Sequence, residues 1–316
     1  MRSYYLLVCC AMLAGCSAGA AGTVPATTTT RAIGTSAMIG PQASFKELAV
    51  SNYGAGSGAG DVALFNKKYG LTGTIVNGLD GNDGIWIDAN GNLYAANLAG
   101  TVTEYAPGSD SYSYPSFTYS AGMTSPIAVT TDGNGNVYVG QGDTEPGYVS
   151  EFPQGSNTPI AQCAMPDGGQ VGGVTVDKKG DVFAASGVSA SSSALVEFPG
   201  GLAGCHSAIL PVPVNYVGGI ELDKKGNLVV EEQTLGEILI IPPPYSNVRT
   251  TLLGFTGDPY QLALNADNTL MFVAEASSGV VVVAQYPSGT IETTLNNYNI
   301  TSPSGVAVYP PPKPAK

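Results

Sequence analysis

The sequence predicts an all-β fold, a six-bladed β-propeller of four-stranded antiparallel blades, on three observations. A hairpin-forming segment recurs along the chain at spacings of 44, 45, 46, 42 and 44 residues. The composition suits tight turns, with 42 glycines and 22 prolines in 316 residues. The two ends carry complementary pieces of one further repeat.

The recurring segment reads Gly84-Ile85-Trp86-Ile87-Asp88-Ala89-Asn90-Gly91-Asn92-Leu93-Tyr94 in its first copy. Further copies begin at Ala128, Gly173 and Gly219, and a weaker one spans Leu262 to Met271. Apolar residues alternate, the chain turns at Asp-x-x-Gly-Asn, and alternation resumes. That is the pattern of two strands joined by a hairpin, in which Gly supplies positive φ and Asp or Asn bonds nearby backbone. A third strand follows each copy, as in Thr101-Val102-Thr103-Glu104-Tyr105, and a looser fourth, such as Ser116-Phe117-Thr118-Tyr119. Four strands per 42–46 residues is the unit of a propeller blade. An array of β-sandwiches is the structural rival.

The ends predict how the ring closes. Gly305-Val306-Ala307-Val308 repeats only a first strand. Glu47 to Ser51, Gly60 to Phe65 and Thr74 to Val76 supply a second, third and fourth without a first. The C-terminal strand is therefore expected innermost in a blade otherwise built from the N-terminal strands, which removes an open edge.

The propeller is expected over 45–309, preceded by a signal peptide at 1–15 and a tether at 16–44, and followed by a Pro-rich tail at 310–316. Met1-Arg2-Ser3 is followed by an apolar run of about ten residues, too short to cross a bilayer as a helix. Leu13-Ala14-Gly15-Cys16 resembles the bacterial lipobox at all four positions. The resemblance implies diacylglyceryl transfer to the Cys16 sulfur, cleavage before Cys16 and acylation of its amine. Ser17, in place of Asp, favours outer-membrane sorting by the same resemblance. The Ala, Gly, Thr and Ser that follow lack the apolar surface to offset chain entropy. The expected location is the cell envelope, with the membrane as partner through the lipid.

The repeats resemble those of the NHL-type six-bladed propellers, whose units read Gly-Ile-Ala-Val-Asp-x-x-Gly-Asn-Leu-Tyr-Val-Ala. WD40 repeats do not fit, because the chain has one Trp and one His. A net charge of −12 and the lack of a basic stripe argue against nucleic acid as a partner. The expected state is a monomer.

Counting four residues past Leu48, Leu93, Val137, Val182, Leu228 and Leu270 gives Asn52, Asn97, Gln141, Ser186, Glu232 and Ala274, with Glu275 next. Asn52, Asn97, Gln141, Ser186, Glu232 and Glu275 are the candidate ligand-binding ring at the mouth of the central channel. Asp83, Asp143, Glu231, Asp258, Tyr216 and Tyr260 are expected in loops on that face. The alternative is that these side chains only solvate the mouth.

Six-bladed lactonases and gluconolactonase-like hydrolases hold a divalent metal with Glu, Asn and Asp. Glu232, Asn97 and Asn52 imitate that set, with calcium as the natural oxygen-ligated ion. The family's flanking motifs are absent. Amidating lyases need several histidines, and this chain has only His206, expected on an outer strand. Virginiamycin-lyase-like propellers have seven blades and a catalytic His. The Asp88 and Asp132 turns superficially resemble calcium loops but lack a closing Glu. No catalytic residue is assigned. Cys163 and Cys205 are expected on outer strands of neighbouring blades, where an oxidising compartment permits a disulfide and two separate thiols are the alternative. The reading is a non-enzymatic, membrane-anchored propeller that binds a protein or small molecule, with a metal-dependent hydrolase as the alternative.

Overall fold

Turn chemistry sets the innermost hairpin of four of the blades. Asp88 Oδ1 accepts the N–H groups of Asn90 and Asn92, both at 2.8 Å, and its Oδ2 accepts the Asn92 amide at 2.9 Å. Asp132, Asp177 and Asp223 repeat the two backbone bonds in the next three blades. Gly91, Gly135, Gly180 and Gly226 take φ values of 81 to 90° at the position where the turn reverses. A side chain would be strained there. The Asp residues of these turns are therefore committed to their own backbone.

The structure, a computed structural model, describes residues 46–54, 60–142, 145–187, 193–255, 257–296 and 299–312. The lipobox with Cys16, the tether and Asp143 lie outside the described residues. The chain first forms β1 (Glu47–Asn52), β2 (Asp61–Asn66) and β3 (Leu71–Ile75). Blade one is β4 (Asn82–Ile87), β5 (Leu93–Asn97), β6 (Thr101–Tyr105) and β7 (Phe117–Tyr119). Blade two is β8 (Pro126–Thr131), β9 (Val137–Gln141), β10 (Tyr148–Phe152) and β11 (Ala161–Ala164). Blade three is β12 (Val171–Val176), β13 (Val182–Gly187), β14 (Ser193–Phe198) and β15 (Ala208–Ile209). Blade four is β16 (Val217–Leu222), β17 (Leu228–Glu232), β18 (Glu237–Ile241) and β19 (Thr250–Leu253). Blade five is β20 (Pro259–Leu264), β21 (Leu270–Glu275), β22 (Val280–Gln285) and β23 (Ile291–Leu295).

The last strand, β24 (Pro303–Tyr309), pairs with β1 and completes a sixth sheet in the order β24-β1-β2-β3. Val306 stands opposite Val50, and Val308 opposite Leu48. The fold is thus six blades of four antiparallel strands, closed by strands from both ends of the chain.

The core lies between blades. Leu48, Val50 and Phe65 of blade six pack against Phe272, Val281 and Val283 of blade five, all at 0% exposure. Each such side chain contributes roughly 1.5–3 kcal/mol by leaving water. Closing the ring buries both faces of the sheets, so both alternating sets lie inside, polar residues such as Thr130, Ser150 and Thr175 among them.

Strand order defines two ends of the ring. On the turn face lie the hairpins between first and second strands and between third and fourth. On the crossover face lie the loops that pass from an outer strand to the next innermost strand, with the second-to-third connections. Both ends of the propeller meet on the turn face, where the Lys46 N–H donates to the Tyr309 carbonyl at 2.7 Å.

Candidate functional site

The axis is filled by a side chain. Innermost strands carry a small residue at one equivalent position in five blades: Gly84, Ala128, Gly173, Gly219 and Gly305. The sixth is Gln261 on β20. Its Nε2 donates to the Ile85 carbonyl at 3.1 Å, and its Oε1 accepts the N–H groups of Ile85 at 3.2 Å and Val306 at 3.1 Å. One amide thus ties blades five, six and one. Backbones crowd around it, since a Cβ on Gly305 would come 2.7 Å from the Asp83 carbonyl. The remaining axial cavity is about 20 Å³, room for one water.

The six candidate residues stand at the ends of the second strands, and all are buried. Five of them bond the crossover loop that leads into their own blade. Asn97 accepts the Asp80 N–H at 3.1 Å, Gln141 accepts Thr124 at 2.9 Å, and Glu232 accepts Asn215 at 2.7 Å. Asn52 donates to the Asn299 carbonyl at 2.7 Å and accepts the Thr301 N–H at 3.0 Å. Ser186 donates to the Asp167 carboxylate. The side chain at each of these second-strand ends is thus the polar group that pins the crossover loop. The residues point to their loops rather than converging on one centre. Among the described residues, no group of three or more His, Cys, Asp or Glu is placed to hold a metal ion.

Glu275 behaves differently. It accepts the Ser278 hydroxyl of its own hairpin at 3.0 Å. Its register partner is Pro259, as Val217 is for Glu232, so Glu275 and not Ala274 is the blade-equivalent residue. The first hairpin of blade five is one residue longer, which displaces the count.

Other expected positions change. Asp83, Glu231 and Tyr260 stand within strands, whereas Tyr216 and Asp258 lie in crossover loops. Cys205 occupies a short 3₁₀ turn over Ala203–Cys205, and exposed His206 follows it, so neither is on an outer strand. The turn bends back under β11, and Cys163 and Cys205 form a disulfide with Cα atoms 5.3 Å apart. Splaying of the blade edges does not keep them apart, because a connection rather than a strand supplies the second thiol.

The unusual electrostatics lie between blades four and five. Glu231 is 0% exposed, and its Oε2 accepts the Gly219 N–H at 3.0 Å. Burial holds its carboxyl well above the usual range, the Gly219 bond partly offsets this, and Glu275 pushes it further up. Glu221 on β16 is also buried well above the usual range and accepts the Leu264 N–H at 2.7 Å. One carboxylate oxygen on each of Glu221, Glu231 and Glu275 has no hydrogen-bond partner. On the crossover face, the connections of blades four and five border a cavity of about 390 Å³, lined by Gln233, Thr234, Leu235, Gly236, Asp258 and Ser277. Gly257 fits this seam only as glycine, since a Cβ would lie 2.5 Å from the Glu275 carboxylate.

The same architecture occurs in solved structures. A chain of a nidogen/laminin complex superposes with a TM-score of 0.64 at 11% identity, over 83% of this chain and 97% of that one. A protein of unknown function from Bacteroides caccae gives 0.63 at 11% identity, over 84% and 99%. The likeness is one of fold. No protein-family model and no curated protein matches the sequence.

Gln261 and Glu221 went unread in the sequence, and Glu231 was expected in a loop where it stands in a strand. Gln261 was signalled by breaking a column of small residues. Glu221 gave no such signal, since it stands between Ile220 and Leu222 in the phase that holds Thr130 and Thr175 in other blades.

Proposed function

We propose that this chain is a non-enzymatic binding or scaffold propeller of the bacterial cell envelope, tethered by a lipid on Cys16. The observation that carries the reading is the division of the ring. Both ends of the propeller leave its turn face, so a preceding tether joins there and the crossover face is left to meet a partner. The plugged axis and closed sheets make a rigid platform, and loops are where such platforms place recognition. Leu13-Ala14-Gly15-Cys16 and the Thr-rich stretch after it fit a lipidated tether, and Ser17 favours the outer membrane.

Feeding cells an alkyne fatty acid tests the anchor. The full chain is expected to incorporate the label and fractionate with outer membrane, and Cys16→Ser to lose both. Label retained by Cys16→Ser, or a wild-type chain that stays soluble and unlabelled, would contradict the proposal.

A further inference from the structure

The positive charges of the propeller lie on one of its two faces. The pairs Lys67-Lys68, Lys178-Lys179 and Lys224-Lys225 sit in turn-face hairpins, Lys46 begins β1 on that face, and Arg249 precedes β19 there. Among the described residues the crossover face has no Lys or Arg. It has instead one exposed or half-buried carboxylate on or entering every blade: Asp61 in blade six, Asp80 leading into one, Glu145 in two, Asp167 leading into three, Glu237 in four and Asp258 leading into five. Turn-face charges are mixed in sign, and four of its aspartates bond their own turns. Crossover-face charges are of one sign.

From this partition we infer that the crossover face docks a lysine- or arginine-bearing polypeptide segment. The inference rests on the platform reading above and adds the chemistry of the partner. Six carboxylates spread one to a blade suit several spaced cations on a chain better than a single ion. A face of uniform sign steers an opposite partner toward it and repels acidic ones. The cavity between blades four and five, with Asp258 on its wall, is a seat for one long basic side chain. Leu235, 52% exposed on the cavity wall, offers the apolar surface that the stem of such a side chain covers.

The test is a fluorescence-anisotropy titration of the full chain with labelled octalysine. Binding is expected at about 20 mM salt, weakening at least about tenfold by about 200 mM, because exposed charges are screened beyond a Debye length. Asp80→Asn/Glu237→Gln/Asp258→Asn is expected to weaken binding at least about tenfold at low salt, by loss of charge complementarity. The turn-face triple Glu47→Gln/Asp110→Asn/Glu292→Gln removes the same charge and is expected to change it less than about twofold. Circular dichroism melts confirm that both triples fold. Equal effects of the two triples, no binding at low salt, or displacement by calcium beyond that of matched ionic strength would each overturn the inference. Failure of fatty-acid labelling with octalysine binding intact would remove the anchor and spare the docking face, so the two claims fail separately.

Discussion

Replacing Gln261 by methionine separates the axial hydrogen bonds from the volume of the side chain. The native amide satisfies three backbone groups, the N–H and carbonyl of Ile85 and the N–H of Val306. Methionine fills similar space and bonds none of them. An orphaned buried backbone group costs about 1–3 kcal/mol. The axial cavity of about 20 Å³ admits one water, which relieves part of that cost. Taking the lower figure for each group, the loss is about 3 kcal/mol. For a domain of this size that lowers the melting midpoint by roughly 6–12 °C. Urea unfolding followed by far-UV circular dichroism reads the free energy, and calorimetry reads the midpoint. A Gln261→Met chain within about 0.5 kcal/mol of wild type, the range of an ordinary surface substitution, would refute the plug.

The remaining predictions concern charge, covalent closure and the turn. Folding raises the Glu221 and Glu231 carboxyls above their ordinary value of 4.5. Below that pH both states are protonated and these groups leave stability unchanged. As pH rises past it the unfolded chain ionises first, so their effect is a loss of stability, at most about 1.4 kcal/mol per pH unit for each retained proton. Glu231→Gln is therefore expected to raise the midpoint at pH 8 and leave it unchanged near pH 4; thermal melts showing a uniform shift would count against it. Reducing Cys163–Cys205, 42 residues apart in sequence, is expected to lower stability by up to about 4 kcal/mol by releasing a long loop in the unfolded chain; melts with and without reductant give the value, and no change would argue against the bridge. Asp223→Ala orphans the Lys225 and Asn227 N–H groups and the Tyr286 hydroxyl; a loss of about 2–4 kcal/mol is expected in urea titrations, and a neutral result would deny the turn its role.

Most of the fold was legible because a blade is a local object. Its hairpin needs Asp to bond two N–H groups and Gly to reverse the chain, and those needs recur every 42–46 residues. Even the composite blade could be read, because Gly305 to Val308 lacks the strands that Glu47 onward supplies. The site was less legible because its partners are distant in sequence. Asn52, Asn97, Gln141, Ser186 and Glu232 read as a ring of free polar groups along one repeat position. Their bonds to crossover loops depend on backbone that no repeat pattern describes. The count of four falls on Ala274, one residue short of Glu275, because blade five's hairpin holds an extra residue. Cys205 was assigned to a strand because the apolar pattern does not show that Gly204 and Cys205 take positive φ and turn the chain beneath β11. Gln261 alone was visible and unread: five small residues and one amide at the same position describe a hole and its filler.

Hydrogen–deuterium exchange on the full chain, with and without octalysine at low salt, tests most directly whether the crossover face is the working surface. Protection is expected at the amides around Gln233 to Glu237 and Gly257 to Asp258, with the Lys178 and Lys224 turns unchanged. Protection confined to those lysine turns, or none anywhere while the peptide is bound, would contradict it.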